Sequence, residues 1–69
     1  PVTARVRLRL VVQADGTVGS VGVAVSSRRA DLDAAAIDAA RAWRFLPALR
    51  DRAPIESRVL IWVVFVMEP

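Results

Sequence analysis

Two sets of side chains in this sequence have the types and spacing to do chemistry. Arg5, Arg7 and Arg9 recur at every second position near the start, and Leu60, Trp62, Val64 and Val66 do so near the end. On extended backbone such spacing puts each set on one face, with neighbours roughly 7 Å apart. A row of guanidiniums is a contact surface for an acidic partner segment, or a solvated basic face. An apolar row on an edge strand is a template for a further strand, supplied by a partner, a second copy or a flanking segment. Trp62 is also placed to take a cation–π contact from a neighbouring arginine.

The inventory for catalysis is nearly empty, because the 69 residues include no His and no Cys. Asp31, Asp33 and Asp38 fit helix capping and solvation rather than acid–base work. Gly16, Gly19 and Gly22 lie in a hairpin instead of opening a helix, so no phosphate-binding loop is formed. The sequence predicts no enzyme, no catalytic residue, no metal site and no cofactor.

The chain carries a net charge of +3, and its ten basic residues are all arginine. A high isoelectric point is compatible with a polyanionic partner, but the favoured account is an Ala- and Arg-rich background with solvated arginines. Without Cys there is no disulfide framework and none of the usual structural zinc sites. The longest apolar run, Val59 to Met67, is strand-sized and far short of a bilayer-spanning helix. At this length the expectation is a single domain over 1–69, and the abrupt start reads as a domain cut from a longer chain.

The elements that must position the two rows follow from periodicity. Val6, Leu8, Leu10 and Val12 alternate with the arginines, giving a first strand with one apolar and one basic face. Ala14-Asp15-Gly16-Thr17 reads as a turn, and a second strand runs from about Thr17 to Ser26 with Val21, Val23 and Val25 inward. Val18 is out of phase with that set, and Gly19 marks a β-bulge. Asp31 is the expected N-cap of a helix that Pro47 stops near Phe45. At 100° per residue its apolar stripe is Leu32, Ala36, Ala40 and Trp43, with Ala35 and Ala39 on the flank and Ile37 at the edge. Residues 47–57 have no periodicity and two prolines, and read as an ordered crossover loop. Arg58 to Glu68 is a third strand, apolar on both faces.

The predicted fold is α+β: strand, strand, helix, strand, with one helix on one face of a three-stranded antiparallel sheet. The favoured spatial order is second–first–third. The third strand is then a long apolar edge without Lys or Pro in its middle, a form soluble proteins normally avoid because it templates pairing. Strand addition by an extended peptide uses such an edge. Its backbone hydrogen bonds contribute about 0.5–1.5 kcal/mol each. Four or five of them barely exceed the entropic cost of association, so side chains must supply the rest.

With those residues in place, the chain resembles the C-terminal domain of the TonB family of energy transducers. The resemblance is carried by Asp15-Gly16-Thr17-Val18, Ser26-Ser27, Leu32-Asp33, Ala35-Ala36, Ala39, Trp43-Arg44-Phe45-x-Pro47-Ala48, Pro54-Ile55 and Phe65. It implies a periplasmic domain that follows an inner-membrane helix and a Pro-rich linker, and that works with the ExbB–ExbD proton-motive complex through that N-terminal region. It further implies strand addition of the "TonB box" of TonB-dependent outer-membrane receptors to the last strand. On this chain the partner-binding set becomes Arg58, Leu60, Trp62, Val64 and Val66 with Arg5, Arg7 and Arg9. Trp43, Phe45 and Phe65 match aromatic positions that look structural. Better-known members carry a polar or charged residue on the outward face of that strand, so Trp62, Val64 and Val66 imply a homodimer or a more apolar peptide. The alternative function is a self-associating domain pairing through the same strand. Nucleic-acid binding is not expected, since the first strand lacks the stacking aromatics of an RNA-binding sheet.

Overall fold

A computed structural model describes residues 2–68. The strands β1 (Val2–Val12), β2 (Val18–Val25) and β5 (Ser57–Met67) form one antiparallel sheet in the order β2-β1-β5. The helix α1 (Ala30–Arg41) packs on β2 and β1, and two short strands, β3 (Ala48–Arg50) and β4 (Ala53–Ile55), pair with each other. The β-β-α-β arrangement and the second–first–third order are those predicted.

β1 organises the core. Its alternate residues Val6, Leu8, Leu10 and Val12 are buried to 2% exposure or less, and Ala36 and Ala40 of α1 are buried in one cluster with Val6, Leu8 and Leu10. Small residues on the helix face let it lie close to the sheet. β5 is the opposite edge from the helix: its inward Val59, Ile61, Val63 and Phe65 are only partly buried. The chain is elongated, 49 × 18 × 17 Å, with a radius of gyration of 13.7 Å against about 11 Å for a compact chain of this length.

The expected bulge is present. Val11 pairs with Ser20 and Val12 with Val18, leaving Gly19 as the extra residue. A second bulge was not expected. Leu8 pairs with Val23 but Arg7 with Val25, so Ala24 is skipped. That slip turns Val25 toward the arginine face and exposes it at 46%, correcting its inward assignment.

The helix differs from expectation at both ends. It begins at Ala30 with Arg29 at the N-cap and no side-chain cap. Asp31 lies inside the first turn, paired with Arg29 at 2.8 Å. It ends at Arg41, with the Ala42 N–H donating to the Ala39 carbonyl and the Trp43 N–H to the Ala40 carbonyl, so Trp43 stands beyond it. The buried stripe is accordingly Ala36 and Ala40 flanked by half-buried Leu32, Asp33 and Ile37, while Ala35 and Ala39 are exposed. Trp43-Arg44-Phe45 leaves the helix because it has a better backbone partner. Arg44 bridges Thr17 antiparallel, and the Phe45 N–H donates to the Gly16 carbonyl at 2.9 Å. Two segments far apart in sequence, the Asp15-Gly16 turn and the tryptophan-arginine-phenylalanine stretch, thus hold each other.

The expected crossover loop is instead a hairpin. Arg50 pairs with Ala53, leaving Asp51-Arg52 as a two-residue turn with φ of 50° and 68°. Positive φ at both central residues is the type I′ pattern. Its strands are exposed, as is Leu46 before them at 97%.

Asp33 fixes the approach to the helix rather than merely solvating it. Its Oδ2 accepts from the Ser26 hydroxyl, and its Oδ1 accepts from the Ser27 hydroxyl at 2.6 Å and the Ser27 N–H at 3.0 Å. The two serine hydroxyls, then the Ser27 N–H, hold the Asp33 carboxyl below its ordinary range. The Thr17 hydroxyl and N–H do the same for Asp15, and Arg29 for Asp31. A carboxyl with a folded pKa below the unfolded value of about 3.9 stabilises the fold above that pH. That stability is lost as pH falls through the folded value. The melting temperature should therefore fall as pH drops below about 4. Asp33→Asn should lower it at neutral pH and narrow the gap to wild type in acid. Parallel melting curves at every pH would rule out this role for Asp33.

Candidate peptide-binding edge and its arginine face

β5 pairs with β1 along its whole length, from Val2↔Met67 to Val12↔Ser57. Its other edge has no strand partner among the described residues. Every N–H and C=O directed there awaits water or another strand. The strand forms because Ser57–Met67 is almost uninterrupted β-branched and aromatic residue. It stays extended because β1 offers it a straight eleven-residue template.

The outward residues of β5 stand where the alternation places them. Leu60 is 50% exposed, Trp62 40%, Val64 59% and Val66 65%. Arg58 is also exposed, at the Ser57 end of the same row. The register sets Arg9 against Leu60, Arg7 against Trp62 and Arg5 against Val64. The apolar and basic rows therefore run side by side on the sheet face away from α1. Arg5 places its guanidinium carbon 4.7 Å from the Trp62 ring centroid, and Arg7 places its own at 5.5 Å. Arg7 is half-buried by this stacking, and its Nε is buried without a hydrogen-bond partner among the described residues. Among the described residues, ion pairs join Arg29 to Asp31 and Arg41 to Asp38, and none involves the arginines of this face.

Two shallow depressions flank Trp62. One, about 220 Å³, is lined by Thr3, Ala4, Arg5 and Val64. The other, about 260 Å³, is lined by Arg9, Arg58, Val59 and Leu60. Each puts an arginine beside aliphatic carbon, which suits a ligand that is both anionic and apolar. Among the described residues no group of carboxylates is placed to hold a metal ion.

The matched aromatics lie elsewhere. Trp43 and Phe45 meet edge to face, with centroids 6.3 Å apart and planes at 70°, and pack with Phe65 against the core. All three are half-buried. Sequence reasoning missed the Ser26-Ser27 clamp on Asp33 and the Gly16–Phe45 dock. The signals were present in each, as hydroxyl pair and carboxylate, or turn glycine and aromatic, but nothing local joins their parts.

The profile of the Gram-negative bacterial TonB protein C-terminal family matches residues 2–67. Over 56 residues, 81% of this chain, the sequence is 43% identical to Protein TonB of Xanthomonas campestris pv. campestris strain B100. Protein TonB of strain ATCC 33913 of the same pathovar matches to the same extent. The match covers 25% of those relatives, so the chain spans about a quarter of their length. No solved structure matches. From the profile match over nearly its whole length, the chain belongs to the TonB C-terminal family.

Proposed function

We propose that this chain is the single periplasmic domain of a longer TonB-like energy transducer, one that is anchored in the inner membrane. It binds the TonB box of TonB-dependent outer-membrane receptors as a strand added to β5. It passes on mechanical energy drawn from the proton-motive force by an ExbB–ExbD complex acting through the N-terminal part of the protein. The observation that carries this reading is the edge of Ser57–Met67, apolar on both faces and without a strand partner among the described residues. A peptide there gains backbone hydrogen bonds of about 0.5–1.5 kcal/mol each and apolar cross-strand contacts. The contacts with Leu60, Trp62, Val64 and Val66 must carry the net affinity, so binding is transient.

Titration of a labelled chain with a TonB-box peptide should shift the amides of Val59 to Val66 and leave Ala34 to Arg41 unmoved. Shifts confined to α1 would sink the reading. The same exposed row favours a second one, a domain that self-associates by antiparallel pairing of β5 with β5 of another copy. Sedimentation over a wide concentration range separates the two. A monomer that takes up peptide supports the grip, and a tight dimer that ignores peptide supports self-pairing.

A further inference from the structure

The arginine face adjoins the β5 edge and shares Trp62 with it, but three of its cations stand on β1. A strand added to that edge lies about 10 Å from β1, two strand spacings away. It leaves the β1 arginines over the open face of the sheet. Charge is segregated there. Arg5, Arg7, Arg9 and Arg58 give +4 with no carboxylate among them, whereas the other six arginines and seven carboxylates of the chain sum to −1. The carboxylates that adjoin β5 in sequence, Glu56 and Glu68, lie beyond its ends. α1, with Asp31 and Asp38, is on the other side of the sheet.

The face is also apolar. Leu60, Trp62, Val64 and Val66 are each at least 40% exposed and run beside the arginine row. A tryptophan and aliphatic side chains among unpaired arginines is the composition that settles at a headgroup boundary. There the carbon enters the acyl margin and the guanidiniums meet phosphate. A nucleic acid fits less well, because two guanidiniums already lie over the Trp62 ring on which a base would stack. We infer that the open face of this sheet, through Arg5, Arg7, Arg9, Arg58 and Trp62, docks on an anionic phospholipid surface, leaving the β5 edge and α1 accessible. The inference does not rest on the peptide grip, and the β1 arginines test it apart from Trp62, which the two surfaces share.

The test is co-sedimentation of the chain with vesicles of phosphatidylcholine alone or with roughly 30 mol% phosphatidylglycerol. Binding should require the anionic lipid, weaken steeply as salt rises from about 0.05 to 0.5 M, and shift tryptophan emission to the blue. Trp62→Phe should abolish that emission shift. Each arginine near the surface is worth about fivefold in affinity, so Arg5→Gln/Arg7→Gln/Arg9→Gln should lose on the order of a hundredfold. Arg41→Gln/Arg50→Gln/Arg52→Gln removes the same charge elsewhere and should lose far less. Both triple variants are first checked for wild-type circular dichroism and melting. Should the β1 triple misfold, Arg9→Gln/Arg58→Gln, at the rim of one depression, should lose about 25-fold. Equal loss from the two triples would make the effect one of net charge and overturn the inference. So would absence of binding at low salt, or capture of an acidic peptide in preference to the vesicles.

Discussion

Gly16→Ala should destabilise the chain by about 3 kcal/mol, the largest loss expected from removing no buried side chain. Gly16 has φ of +88°, a region that costs an L-residue about 1–2 kcal/mol. A methyl built on it would stand 2.2 Å from the Phe45 carbonyl oxygen, and that oxygen is backbone. The Phe45 segment must retreat, which breaks the Phe45 N–H to Gly16 carbonyl bond and strains the Thr17↔Arg44 bridge. Each lost bond adds about 1 kcal/mol. A chain of this length has roughly 3–10 kcal/mol in total, so the variant sits near the threshold of folding. Gly16→Asn separates the two causes, because asparagine tolerates positive φ but keeps the Cβ. It should recover little in a denaturant melt. Near-complete recovery would mean that φ, not the contact with Phe45, makes glycine necessary.

That dock also explains which parts of the fold were legible in the sequence. The β1 alternation and the apolar run of β5 are local patterns, and the strands, their order and the exposed outward row follow from them. Gly19 is a local breaker, and its bulge was legible too. The bulge at Ala24 was not, because Val21, Val23 and Val25 keep perfect alternation. The slip serves the turn into the helix, where Ser26 and Ser27 must reach Asp33. The helix end was misplaced for a related reason. Pro47 sets only the latest stopping point, whereas the stop at Arg41 is set by pairing of Arg44 with Thr17, 27 positions earlier in the chain. Extending the helix to Phe45 put Trp43 into the stripe and rotated its phase past Ile37. The β3–β4 hairpin was hidden because Asp51-Arg52 lacks the glycine that usually announces a type I′ turn. At the candidate site, the two rows were legible from parity alone. The stacking of Arg5 and Arg7 together on Trp62 needed the β1–β5 register.

Trp62→Lys should weaken peptide binding at β5 about 30-fold while leaving the fold nearly intact. Trp62 is 40% exposed and outside the core, so its stabilising role rests on the contacts with Arg5 and Arg7. Cation–π contacts at exposed sites contribute about 0.5–1 kcal/mol. Lysine forfeits them and adds a cation between two others, so a stability loss of about 1 kcal/mol is expected. The effect on binding should be larger. An aromatic anchor at the centre of a contact typically carries 2 kcal/mol or more, so affinity for a TonB-box peptide should drop about 30-fold. Trp43→Ala supplies the converse. Trp43 is half-buried against Phe45 and the core, and its loss should remove about 2–3 kcal/mol of stability, below the range for a fully buried tryptophan. Peptide affinity of the fraction that still folds should be unchanged. Melting curves and titrations on both variants decide the matter. Equal loss of fold would make Trp62 structural. Unchanged affinity in Trp62→Lys would leave the added strand to its backbone hydrogen bonds and to contacts with Leu60, Val64 and Val66. A β5 grip anchored on Trp62 could not then account for binding.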